Sequence, residues 1–98
     1  MNIPDASAEV RTLLESTFLY LINRDYEKAL SALQLGRKEW LKELNALSLK
    51  EEVEMFFDIM IGQVYEESNN LQVAFKYYMK AKNIDLYYNH PDKAFPFS

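Results

Sequence analysis

The scarcity of helix-breaking residues is the feature that most limits how this chain can fold. The chain has 98 residues with two glycines and three prolines, and no proline lies between Asp5 and His90. Many short strands joined by tight turns would need more glycine and proline, whereas long helices need neither. We therefore expect an all-α fold, and residues 1–98 are enough for a single domain with one core.

Charge and composition narrow the classes of partner. The chain is 49% apolar and 27% charged, which is ordinary for a folded domain. Eleven basic residues are scattered among fifteen acidic ones, giving a net charge of −4. Nucleic acid is not an expected partner, because phosphate backbones require clustered lysine and arginine. No membrane insertion is expected either, since no apolar run approaches the roughly 18 residues that span a bilayer.

The sequence does not assemble residues for catalysis or metal binding. It has no cysteine, which excludes thiolate zinc sites and cysteine nucleophiles and suits a reducing compartment. His90 is the only histidine, and a lone histidine does not make a metal site. No glycine-rich loop is present to hold a phosphate, and we interpret the clustered glutamates as solvated helix faces. We therefore expect no enzymatic activity, no cofactor and no metal.

Four helices are indicated by apolar residues that recur at spacings of three, four and seven. The loops within the first pair and within the second pair are about three residues long, which forces the paired helices to run antiparallel. The fold is therefore expected to be two stacked helical hairpins with a short C-terminal tail. The expected bounds are about Ala6 or Ser7 to Ile22, Tyr26 to about Ala46, about Leu49 to Glu67, and Leu71 to about Tyr87, with the tail over 89–98.

Each predicted helix start is preceded by a residue that can cap it. Ser48 and Glu51 have the spacing of a capping box, in which each side chain satisfies an exposed amide of the other. This box places the start of the third helix near Leu49. The other predicted caps are Asp5 or Ser7 for the first helix, Asp25 for the second and Asn70 for the fourth.

The chain repeats itself at an offset of 45 residues, so that the two units are about residues 7–46 and 49–88. Small residues recur where two helices must approach closely, and a bulky side chain there would push the helices apart. The aligned pairs are Tyr20 with Tyr65, Tyr26 with Leu71, Ala29 with Ala74, Leu33 with Tyr78, and Gly36 with Ala81.

The second unit resembles the tetratricopeptide repeat family, whose units read Leu-Gly-x-x-Tyr and then Ala-x-x-x-Phe with a further small residue. The first unit departs from this pattern, with Thr17 in place of the glycine. The long repeat resembles those of kinesin-light-chain-type relatives and implies an α-solenoid fragment whose second helix is about three turns longer than usual. The matching residues of the second unit are Ile61, Gly62, Tyr65, Ala74, Tyr78 and Ala81.

The resemblance implies a binding site, because in this family the first helix of each unit lines a concave groove that holds a peptide or helix. Members that hold the acidic C-termini of heat-shock chaperones place lysine and asparagine there, and this sequence has apolar residues instead. An apolar groove suits an amphipathic helix. The groove residues carried over by pattern are Arg11, Leu14, Phe18, Leu21 and Ile22 from the first unit and Phe56, Ile59, Met60, Gln63 and Glu67 from the second.

Two functional hypotheses follow, and both are forms of protein binding. In the first, the chain is a scaffold whose groove takes an apolar helix from a partner, from a neighbouring repeat or from a second copy, so that a homo-oligomer is expected. In the second, it is a structural accessory or regulatory subunit of a larger complex that binds through its outer face. The family resemblance implies a cytoplasmic location, with cytoskeletal, trafficking or ciliary scaffolds as the setting. The outer-face residues would be Trp40, Leu41, Leu44 and Leu47.

Overall fold

In the computed structural model, which describes residues 6–89 and the side chains of residues 6–84, the chain is all-α, as predicted. Each helix packs against the next one along the chain, so that α2 and α3 join the two hairpins. The predicted tail lies outside the described residues except for Asn89, which ends α4. The helices are α1 (Ala8–Ile22), α2 (Tyr26–Lys42), α3 (Leu47–Glu67) and α4 (Leu71–Asn89).

Two of the predicted caps are confirmed. The backbone N–H of Val10 donates to Ser7 Oγ over 3.3 Å at the start of α1. At the start of α2 the N–H of Lys28 donates to Asp25 Oδ1, also over 3.3 Å. Each side chain satisfies one of the amide groups that a helix leaves unpaired at its first turn.

The predicted capping box at Ser48 is wrong. The N–H of Lys50 donates to the carbonyl of Ala46 over 3.1 Å, so helical hydrogen bonding begins two residues earlier than the box requires. Ser48 therefore lies inside α3, whereas a capping residue must itself have a non-helical backbone. Ala46 is the N-cap and provides no side-chain hydrogen bond.

The second helix is also shorter than predicted, ending at Lys42 and not near Ala46. The N–H groups of Glu43 and Leu44 donate to carbonyls three residues earlier, over 3.0 and 3.3 Å, which tightens the last turn and closes the helix. The turn places the side chain of Leu44 in the core, where it is 5% exposed. The second helix of the unit was predicted to be about three turns longer than usual, and this prediction is wrong. α2 has only 17 residues, whereas α3, the first helix of the next unit, has 21.

The two hairpin turns share every backbone hydrogen bond at the offset of 45 residues. Their middle residues, Arg24 and Asn69, both adopt a left-handed backbone, with φ of 58° and 66°. The repeat seen in the sequence therefore corresponds to two equivalent structural units. Among the equivalent bonds, Asp25 N–H donates to the Tyr20 carbonyl and Asn70 N–H to the Tyr65 carbonyl, each over 2.8 Å.

The core is centred where α2 passes between α1 and α3. The ring of Trp40 meets the rings of Phe56 and Phe57 edge to face, with centroids 6.0 Å apart in both pairs. A Cβ atom built on Gly36 would lie 3.6 Å from Phe57 and 3.7 Å from Leu13, so this glycine brings all three helices together. Over residues 6–89, none of the helices combines the length and the apolar character needed to cross a bilayer.

Candidate protein-binding surface

The ten predicted groove residues divide into an exposed set and a partly buried set. The partly buried residues pack against the hydrophobic core, and Phe56 does so through its contact with Trp40. Only the exposed set can offer side chains to a partner without rearrangement. The partly buried residues are Leu14, Leu21, Phe56 and Met60, and the exposed ones are Arg11, Phe18, Ile22, Ile59, Gln63 and Glu67.

Helix α1 carries the largest exposed apolar side chains of the predicted groove. Phe18 is 52% exposed and Ile22 is 76% exposed. These residues are four positions apart, and Arg11 is seven positions before Phe18, so the three side chains lie on one stripe of the helix. Val10 and Thr17 hold another side of α1 in the core, and this α1 stripe (Arg11, Phe18 and Ile22) faces outward.

Helix α3 carries a more polar stripe. Ile59 is 39% exposed and is followed at four and eight positions by Gln63 and Glu67, which form the same face of the helix. Gln63, Glu66 and Glu67 line a surface depression of about 460 Å³. Within residues 6–89, α1 and α3 are not a closely packed pair, so the α3 stripe (Ile59, Gln63 and Glu67) and the α1 stripe lie on separate helices that α2 holds together.

The phenol of Tyr78 binds an acid next to the end of the α3 stripe. Its hydroxyl donates to Glu66 Oε1 over 2.6 Å. Burial, together with the hydrogen bond to Glu66, raises the pKa of Tyr78 to about 12. The tyrosine is therefore neutral at physiological pH and holds the Glu66 carboxylate against α4.

The outer face that the second hypothesis requires is not presented in the structure. Trp40 and Leu44 are 9% and 5% exposed and belong to the core, and Leu41 packs against them. Only Leu47 projects, with 68% of its side chain exposed. These positions are buried because the chain leaves the helix after Lys42 and folds α3 over them.

The structure exposes an apolar pair on α4 that the sequence analysis did not single out. Leu71 and Phe75 are 60% and 62% exposed and, with Gln72 and Lys76, line a depression of about 520 Å³. Their equivalents in the first hairpin are partly buried against the core. Helical periodicity alone indicates a core position here. The pair is a surface because no helix within residues 6–89 packs against this side of α4.

A buried acid lies between α2, α3 and α4. Asp58 is 3% exposed, and burial, with a smaller contribution from the charge of Glu54, raises its pKa from 3.8 to about 6. The positive charges of Arg37 and Lys80 act in the opposite direction. Arg37 Nη1 lies 3.6 Å from Glu54 Oε2, so an ion pair joins α2 to α3 beside this carboxyl group.

Two further findings, on metal-binding clusters and on similar proteins, bear on the function of these surfaces. Among the residues that the structure describes, no three histidine, aspartate or glutamate side chains come together in a way that could hold a metal ion. The chain matches no family model, no curated protein and no solved structure. The exposed stripes of α1 and α3 and the apolar pair on α4 are therefore the features from which a function can be argued.

Proposed function

We propose that this chain is a tetratricopeptide-type interaction module that binds an amphipathic helix of another protein along the α1 stripe. The observation that carries this proposal is the exposure of Phe18 and Ile22, at 52% and 76%, one helical turn apart. Removing apolar surface from water stabilises a complex by about 25 cal/mol per Å². Two large side chains at this spacing match the i, i+4 anchors that a bound helix inserts between.

The charges at the ends of the two stripes define what kind of helix fits. Arg11 lies toward the start of α1, and Glu67 lies at the end of α3. Since α1 and α3 are the first helices of two equivalent hairpins, these charges stand at opposite ends of the surface. We expect a partner helix with two apolar residues one turn apart, an acidic residue near Arg11 and a basic residue near Glu67, because complementary charge fixes orientation.

The role proposed is binding and not catalysis. The α1 stripe offers apolar contact area and one guanidinium group, which suit recognition of a helix. A cytoplasmic location is proposed from the resemblance to the tetratricopeptide family.

Site-specific crosslinking tests the proposed surface. Benzoylphenylalanine placed at position 18 should crosslink a cellular protein, whereas the same group at position 38, an exposed site on α2, should not. The double variant Phe18→Glu and Ile59→Glu should lose that protein in pull-down assays while keeping the circular dichroism spectrum of the wild type. Crosslinks that are equal from both positions, or retention of the protein by the double variant, would remove the α1 stripe as the binding site.

A further inference from the structure

The interface between α2 and α3 shows how one hairpin of this chain docks on another. An ion pair joins Arg37 to Glu54 across it, with the charged atoms 3.6 Å apart, and the rings of Trp40 and Phe56 meet at 6.0 Å. Because the hairpins are equivalent at an offset of 45 residues, each of these positions occurs a second time. The second set lies on α4, which corresponds to α2, and on α1, which corresponds to α3.

We propose that copies of this chain stack head to tail, with α4 of one copy packing on α1 of the next as α2 packs on α3 within the chain. The surfaces are the C face, made by Leu71, Phe75 and Lys82 on α4, and the N face, made by Glu9 and Leu19 on α1. This inference goes beyond the proposed function, because the partner is a second copy and the C face is not part of the α1 stripe.

The C face and the N face carry opposite charges at the two positions that correspond to the internal ion pair between α2 and α3. Lys82 stands at the position of Arg37, and Glu9 stands at the position of Glu54. Both side chains are exposed. The stack therefore places a lysine of one copy opposite a glutamate of the next. As in the internal ion pair, the base lies on the second helix of a hairpin and the acid on the first.

The apolar residues of the C face lie at the start of α4, at positions equivalent to the start of α2. In the first hairpin, Tyr26 and Leu30 are partly buried and lie eleven and seven positions before Arg37, on the stripe that faces α3. Their equivalents are Leu71 and Phe75, which are 60% and 62% exposed on the C face.

The N face supplies the matching apolar residue. The start of α2 lies beside the end of α3, because the two helices are antiparallel neighbours joined by a short loop. Val64, fully buried near the end of α3, corresponds to Leu19 of α1, which is 60% exposed. The stack therefore covers Leu71 and Phe75 of one copy with Leu19 of the next.

The stack is expected to be weaker than the internal interface and sensitive to salt. The buried aromatic cluster that joins α2 to α3 is not repeated on the N face, where Arg11 and Thr12 replace Phe56 and Phe57. Exposed charge pairs contribute less than buried rings, and salt screens them. A head-to-tail contact uses different surfaces on the two copies, so association can continue beyond a dimer.

Light scattering on the purified chain tests the stack. The mass should rise above 11.6 kDa with concentration and should fall back as salt is raised from about 50 mM to about 500 mM. Lys82→Glu should weaken the association constant by about tenfold or more, since it sets two acids opposite each other. The double variant Lys82→Glu and Glu9→Lys should restore association, because the pair is then reversed.

The control is Lys38→Glu, which makes the same change of net charge on the outward side of α2 and should associate like the wild type. A wild-type mass of 11.6 kDa at every concentration, or failure of the reversed pair to restore association, would overturn the stack. If Phe18→Glu and Ile59→Glu abolish self-association while Lys82→Glu does not, the copies meet through the α1 stripe. That result overturns the stack and leaves the α1 stripe as the binding surface.

Discussion

The two hairpins fill the space between their helices with different combinations of large and small side chains. In the first hairpin the facing positions are Thr17 and Leu33, both fully buried. In the second they are Gly62 and Tyr78, and a Cβ atom on Gly62 would lie 2.6 Å from the tyrosine ring. A larger residue on one helix is thus matched by a smaller one on the other. Each hairpin thus fills the space between its helices with its own pair of side chains, as close packing requires.

The difference also changes how each hairpin is anchored. Thr17 donates its hydroxyl to the Leu13 carbonyl of its own helix over 2.9 Å, so it does not tie α1 to α2. Tyr78 donates across the hairpin to Glu66 over 2.6 Å, which ties α4 to α3 and restrains the ring against Gly62. The second hairpin is therefore expected to tolerate less change at its small position than the first.

The largest expected effect is that of Gly62→Ala. The added methyl group would meet a ring that its hydrogen bond holds in place, so we expect a loss of about 3 kcal/mol in the free energy of unfolding. The matched control is Gly36→Ala, where the new Cβ atom would have ordinary contacts of 3.6 to 3.7 Å. That substitution should be neutral or stabilise by up to about 1 kcal/mol, because alanine favours a helix over glycine. Urea denaturation followed by circular dichroism measures both.

A double-mutant cycle isolates the cause of the Gly62→Ala effect. In a Tyr78→Leu background, which copies the leucine of the first hairpin, Gly62→Ala should cost nothing, because the ring is gone. Equal destabilisation by Gly62→Ala in both backgrounds would show that Tyr78 is not the residue that excludes a side chain at this position.

The second prediction uses the buried acid of the second hairpin, whose equivalent in the first hairpin is Leu13. The pKa of Asp58 is raised from 3.8 to about 6 in the folded state. A group with a raised folded pKa stabilises the fold fully below its unfolded pKa, and this contribution is lost as the pH rises through the folded pKa. For Asp58 the loss runs from about pH 4 to about pH 6 and amounts to about 3 kcal/mol.

Asp58→Asn should remove this pH dependence. At pH 7 the variant should be more stable than the wild type by about 2 kcal/mol, since it avoids a buried charge but leaves a buried amide that needs hydrogen-bond partners. The charges of Glu54, Lys80 and Arg37 act on this group, and all three residues are present in both proteins. Urea titrations at pH 4, 5, 6 and 7 give the comparison, and parallel pH profiles for the two proteins would refute the assignment to Asp58.

The smallest expected effect concerns the two turns. Arg24 and Asn69 both have a positive φ, and asparagine tolerates this backbone better than arginine does. Arg24→Asn, which copies the second turn into the first, should therefore stabilise the protein by about 0.5 kcal/mol. The reciprocal change, Asn69→Arg, should destabilise it by a similar amount. Thermal denaturation of both variants decides the point, and shifts of the same sign in both would contradict it.

The sequence predicted best those features that depend on local chemistry. The caps at Ser7 and Asp25 were predictable because a polar side chain satisfies amides within its own first turn. The capping box at Ser48 was predicted wrongly, because burial of Leu44 in the core ends α2 early and α3 starts upstream of the box. Competition between a local motif and tertiary burial cannot be decided from spacing alone.

The candidate surface was predicted only in part, for a related reason. Periodicity identifies the face of a helix but not the neighbour that covers it. Phe18 and Phe56 both carry an aromatic ring on a predicted groove position, yet Phe18 is 52% exposed and Phe56 packs on Trp40. Phe75 shows the reverse case, since a regular apolar position on α4 is exposed where no helix within residues 6–89 packs against that side.

The central claim is that the equivalence of the hairpins extends to the outer faces of the molecule. Sedimentation velocity on a mixture of the single variants Lys82→Glu and Glu9→Lys tests it most directly. Alone, each variant sets like charges opposite each other and should associate about tenfold or more weakly than the wild type, with a mass closer to 11.6 kDa at the same concentration. In the mixture every junction between unlike copies pairs opposite charges, so the mixture should associate as the wild type does. A mixture that sediments as monomers while the wild type associates would contradict the claim.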